Sequence, residues 1–172
     1  MFSIGDKVIH RTRGAGAITG EKEMQITERP KHYLVIQMLG SSSTLMVPAD
    51  QAEERLRPAC KKAELRLLLT SELSEEPEEL PQDYKKRKKL VENKLKSGKT
   101  EDWIEMVRDL TYRGEKTQLS TGDQQLLDQA MDLLTGELAL AQGIPQDQAE
   151  LHLNAMLHHR DELADHQGES PE

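Results

Sequence analysis

At Pro58 the hydrophobic pattern of this chain changes period, and that change limits the fold to two dissimilar parts in series. Before it run short β-prone stretches, GDKVIH, AGAITGEKEM, HYLVIQML, STLMVP and RLRP, each closed by turn residues and spaced as an antiparallel meander requires. Gly14 and Gly16 bracket one tight connection, Arg29-Pro30 a second and Gly40-Ser41-Ser42 a third. After Pro58 the apolar residues recur at helical spacing, first as Leu65, Leu68 and Leu69 within residues 61–70. The pattern predicts an α+β protein in which a small antiparallel sheet, best closed into a barrel to hide its edges, precedes an all-α domain.

Within the helical part, the acidic, proline-bearing SELSEEPEELPQD reads as a linker. A basic helix is expected from near Pro81 to Lys96, stopped by Ser97-Gly98. Trp103, Ile104, Val107 and Leu110 place another over about 100–113, ended by Gly114. Ser120 and Asp123 resemble a capping box that opens the clearest helix, whose stripe is Leu126, Leu127, Ala130, Leu133, Leu134, Leu138 and Ala141. A last helix starts at Pro145 and reaches about His159. The expected organisation is a sheet domain at 1–58, a helix and acidic linker at 59–80, a helical domain at 81–160 and a polar tail at 161–172.

Composition narrows the function. Aromatic residues form 3% of the chain, so aliphatic side chains must supply most of the burial. No apolar run reaches the ~20 residues of a membrane helix, the start does not read as a signal peptide, and Cys60 stands alone; together these predict a cytoplasmic protein with no membrane partner. The net charge of −8 is unevenly spread. Lys and Arg against Asp and Glu number 8 and 7 over residues 1–58, 11 and 8 over 59–100, then 4 and 16 over 101–172. The middle third carries the basic run Lys85, Lys86, Arg87, Lys88 and Lys89.

Motifs for phosphate loops, dinucleotide binding, serine hydrolysis and zinc proteolysis are absent from the sequence, so an enzyme reading has no support. His158 and His159 are adjacent, about 100° apart on a helix, which is not the spacing of a shared metal. Neither a metal nor a cofactor is expected.

The pieces GDKVIH, YLVIQM, LMVPAD, RDL and LSTGDQQLLDQAMDLLTGELALA follow one another as in CarD/CdnL proteins, which the chain resembles over about residues 2–145. The resemblance implies a Tudor-like barrel, shared with the transcription-repair coupling factor, that binds the RNA polymerase β subunit. It also implies a helical domain at the upstream edge of the transcription bubble, stabilising open complexes at ribosomal RNA and other housekeeping promoters. For the polymerase contact it points to Met46, with Val47 and Pro48 on the same strand, and to Met24 in the preceding hairpin. An edge strand can add to a partner's sheet, and exposed thioethers adapt to such surfaces. The alternative is that both methionines fill the sheet core.

For DNA, the resemblance places Tyr84 where relatives carry a Trp wedged against a splayed base, and Lys85 to Lys89 beside it on phosphates. The alternative packs Tyr84 on Leu80 and the stem of Lys88. Arg108, Arg113 and Lys116 are further phosphate candidates. Where relatives have basic residues, this chain has Gln124, Gln125, Asp128, Gln129 and Asp132, so weak DNA binding by a monomer anchored on polymerase is expected. The competing class is a protein-protein adaptor whose helical domain never touches DNA. Trp103 is in phase with Val107 and Leu110 and reads as core.

Overall fold

The structure, a computed structural model, describes residues 1–26 and 28–167, with side chains as far as residue 159. Five strands form where the β-prone runs stand: β1 (Lys7–His10), β2 (Gly14–Met24), β3 (Lys31–Met38), β4 (Thr44–Pro48) and β5 (Leu56–Pro58). They pair antiparallel in the order β4-β3-β2-β1-β5. Gly14 takes a left-handed φ of 89°, as the sharp β1–β2 turn needs. Gly16 belongs to the strand instead. A Cβ there would lie 2.7 Å from the Ile36 side chain and 2.8 Å from the Gln37 carbonyl, so its role is close approach to β3.

The expected closure into a barrel is not completed by backbone pairing, since β4 and β5 are the two ends of the ladder. A single 3₁₀ turn at Ala49–Gln51 and the short helix α1 (Ala52–Arg55) bridge them. Ala52 from that bridge and Leu56 of β5 complete the sheet's own core of Val8, Ile18, Leu34, Ile36 and Val47. Apolar packing fills the gap that a three-residue β5, ending in proline, is too short to close with hydrogen bonds.

Five further helices follow: α2 (Lys62–Ser74), α3 (Tyr84–Ser97), α4 (Thr100–Lys116), α5 (Thr121–Gln142) and α6 (Gln146–Gln167). Several boundaries differ from the sequence expectation. Pro81 does not open α3; Asp83 does, accepting a hydrogen bond from Lys86 N at 2.9 Å. Gly114 does not end α4, which continues one turn to Lys116. Helix α2 extends through Ser74, and its Leu65, Leu69 and Leu73, with Leu80 beyond it, enter the core around Trp103. The acidic segment between α2 and α3 is therefore laid on the helical domain. Glu78 N donates to Asp109 Oδ1 at 3.1 Å. Of the expected tail, α6 carries the backbone to Gln167, and residues 168–172 lie outside the described residues.

The two domains share a core. Val8 faces the sheet interior, while its neighbour Ile9 turns to the opposite side and joins Ala15 against the helices. Gly136 of α5 lets that helix sit close over Ala15, where an added Cβ would be 3.4 Å from the alanine methyl. Strand β1 is thus covered on both faces, which explains why KVIH has adjacent apolar residues where an alternating strand would have one.

Candidate nucleic-acid interface

Helix α3 separates its basic residues by face. At 100° per residue, Arg87 and Val91 share one side and both are buried, with Arg87 only 4% exposed. Lys85, Lys86, Lys88 and Lys89 fan over the opposite side and are exposed. Tyr84, the first residue of the helix, is 42% exposed. Its ring lies against Gly122 at the start of α5, where any side chain would collide with the hydroxyl, and the Arg87 guanidinium sits 5.5 Å from the ring centroid.

Arg87 is a structural clamp and is unavailable to phosphate, contrary to its place in the basic run. Its Nε donates to both oxygens of Asp123 at 3.0 and 3.1 Å, Nη2 pairs with Oδ2 at 3.0 Å, and Nη1 donates to the carbonyls of Pro81 and Gln82. Ser120 caps α5 by accepting from Asp123 N at 3.1 Å. Burial pushes the Asp123 carboxyl up, but the hydrogen bonds and charge of Arg87, with those of Ser120, outweigh it and hold it below its ordinary value.

Arg108 is likewise buried. It donates to Asp109 Oδ1 at 2.8 Å and to the Glu72 carbonyl at 3.1 Å, tying α4 to α2, so it too is withdrawn from the phosphate candidates. Arg113 is half-buried on α4, and Lys116 is exposed, 4.2 Å from the Tyr112 ring and 3.9 Å from Glu79. Gln124, Gln125, Asp128, Gln129 and Asp132 are all exposed on α5.

On the sheet, β4 pairs only with β3, leaving an open edge. Met46 and Pro48 are half-buried there, whereas Val47 is 1% exposed in the sheet core. Met24 is half-buried at the end of β2, opposite Lys31, while Met46 stands opposite Val35; the two methionines do not meet across the sheet.

Sequence reasoning missed a densely bonded polar site. Glu137, fully buried on α5, receives Arg57 Nη1 and Nη2 of β5 at 2.7 and 2.8 Å, the Thr100 hydroxyl at 3.0 Å and Cys60 N at 3.1 Å. Burial pushes its carboxyl up, but Arg57 and the two other donors more than compensate and hold it below the usual range. The signal was present. Glu137 falls on the inner seam that Ala130 and Leu134 define, where a charged residue demands a buried partner. Beside it, burial and then the Glu137 charge push the Cys60 thiol up from 9.0 to about 11. Folded protein at pH 8 is expected to react with a disulfide reagent about tenfold more slowly at Cys60 than unfolded protein in urea, because the thiolate is scarcer though more nucleophilic, a ratio that timed thiol titration measures.

An antiparallel five-stranded sheet packed against a bundle of helices makes this a two-part α+β protein. The two halves match two family models end to end: the CarD-like/TRCF RID domain over residues 2–60 and the CarD C-terminal domain over residues 69–154. The chain is also 31% identical over 150 residues to "Putative transcription factor YdeB" of Bacillus subtilis (strain 168), covering 86% of this chain and 97% of that protein. The chain belongs to the CarD family of transcription regulators, which are not enzymes. Among the described residues no helix is long and apolar enough to cross a membrane.

Proposed function

We propose that this protein binds the β subunit of RNA polymerase through the open edge of β4 and stabilises the open promoter complex with α3. Tyr84 stacks on a base at the upstream edge of the bubble, and Lys85, Lys86, Lys88 and Lys89 hold neighbouring phosphates. The match to the RID domain supports the polymerase contact. One observation carries the DNA contact: a half-exposed aromatic ring at a helix start, backed by Arg87 and Gly122 and surrounded by four outward lysines. Stacking tolerates any base, and lysines on phosphates add affinity without reading sequence. Anchoring on polymerase supplies the local concentration that an acidic protein lacks by itself. Such a protein works in the cytoplasm, as a monomer.

The acidic, glutamine-rich outer surface of α5 favours a second reading, in which the helical domain recruits another protein. Open-complex lifetime on a ribosomal RNA promoter separates the two. Stacking is worth ~1–3 kcal/mol, and a ring smaller than Trp delivers the lower end, so Tyr84→Ala is expected to shorten the lifetime about fivefold. Reversing Lys85, Lys86, Lys88 and Lys89 to Glu is expected to remove the effect altogether. Unchanged lifetimes in both variants, with polymerase binding intact, would establish the adaptor.

A further inference from the structure

Helix α3 ends where the sheet domain reaches it. Trp103 Nε1 donates to the Leu95 carbonyl at 3.1 Å, Arg11 Nη1 from the β1–β2 turn to that of Ser97 at 3.1 Å, and Arg57 Nε from β5 to that of Gly98 at 2.6 Å. Gly98 has a left-handed φ of 72°, and a Cβ there would lie 2.6 Å from Arg11 Cγ, so the glycine lets the arginine close on the helix end. The Arg57 guanidinium is held further by both oxygens of Glu137, by the Pro58 carbonyl at 3.3 Å and over the Trp103 ring at 5.3 Å.

We propose that Arg11 and Arg57 are positioning residues that set the direction of α3 relative to the sheet, and thereby where Tyr84 stands when the sheet is docked on polymerase. This rests on the function proposed above. Apolar contact between Ile9, Ala15 and α5 is non-directional, and besides the Arg57–Glu137 pair Lys7 Nζ of β1 donates to the Leu140 carbonyl of α5 at 3.0 Å. Hydrogen bonds to two successive carbonyls at a helix end fix an angle, and two cations there complement the helix dipole. Tyr84 lies thirteen residues from Ser97, about 20 Å along the axis, so a tilt of ~10° at the grip moves it by about 3 Å. That displacement is comparable to the ~3.4 Å rise between stacked bases and is enough to lose one stacking position. At the other end Arg87 fastens α3 to α5, so a change of angle at the grip carries both helices, and Tyr84 with them, as one body.

The test uses the full chain in a Cys60→Ser background, spin-labelled through Glu21→Cys on exposed β2 and Lys89→Cys on exposed α3. Pulsed electron resonance reads the distance between the labels. Arg57→Lys keeps the charge but replaces a planar fork with a point donor that cannot hold Glu137 and Gly98 together. Combined with Arg11→Ala, it is expected at least to double the width of the distance distribution. In unlabelled protein the same pair is expected to leave polymerase affinity within twofold and to shorten open-complex lifetime as far as Tyr84→Ala does. Arg11→Lys, which restores a donor to Ser97, should recover part of both losses. If circular dichroism shows that the double variant does not fold, Arg11→Ala alone, at a half-buried turn residue, gives the reading. An unchanged distance distribution overturns the proposal. So does a broadened one with an unchanged lifetime, provided that Tyr84→Ala shortens it. Should Tyr84→Ala leave the lifetime unchanged, the stacking role falls, and the distance measurement still decides whether the arginines set the helix direction.

Discussion

Glu137→Ala is expected to lower the free energy of unfolding by about 3–5 kcal/mol, the cost of leaving one partner of a buried ion pair uncompensated. The substitution leaves the Arg57 guanidinium only the carbonyls of Pro58 and Gly98 as acceptors among the described residues, and removes the acceptor of the Thr100 hydroxyl and of Cys60 N. Urea unfolding checks it through a lower midpoint at an unchanged slope. Replacing Arg57 and Glu137 together by Met and Leu is expected to cost less than Glu137→Ala alone, because no charge is then buried. The pair contributes less to net stability than either single variant suggests.

Asp123→Ala carries the second largest expected effect, about 3 kcal/mol by the same argument: Arg87 is more deeply enclosed than Arg57 but keeps the Pro81 and Gln82 carbonyls as acceptors. The Ser120 cap survives the change, because its hydroxyl accepts from the backbone of residue 123. A loss of this size therefore reports the Arg87 clamp and not the cap, which would account for ~1 kcal/mol. Both carboxyls are held below their ordinary values of 4.5 for Glu137 and 3.8 for Asp123. A lowered folded-state pKa means the unfolded chain takes up the proton first. The stabilisation is complete above those ordinary values and disappears as pH falls through the lower, folded-state ones. Melting temperature measured from pH 7 down to pH 2 is expected to stay level until about pH 4 to 5 and then drop. In the Glu137→Gln, Asp123→Asn double variant the acid drop is shallower.

The strands and most helix ends were legible because period and turn chemistry are local properties. All five β-prone runs became strands, and the stripe of α5 from Leu126 to Leu138 is the inner face. Barrel closure was not legible, because whether β4 meets β5 depends on a seven-residue bridge whose packing no periodicity encodes. The basic run showed where charge lies in sequence but not on which face. Four of its five members face solvent, and the fifth shares the phase of Val91. Arg87 at four residues before Val91, and Asp123 three after a capping serine, were each visible; their pairing across 36 residues was not. Val47 followed the same rule on the sheet: alternation with Met46 put it inside. Glu137 and Arg57, 80 residues apart, became a site only once the domains were packed together.

The open side of β4 has a consequence for handling the free protein. Its outward row of backbone groups suits a second copy as well as any partner, so concentrated protein kept away from its partner is exposed to edge-to-edge self-association. Pro48 limits that hazard. It closes the strand without an N–H, so a foreign strand finds outward N–H groups only at alternate residues of the short run from Thr44 to Val47, too brief to seed a growing sheet but long enough to complete a surface that other contacts hold in place.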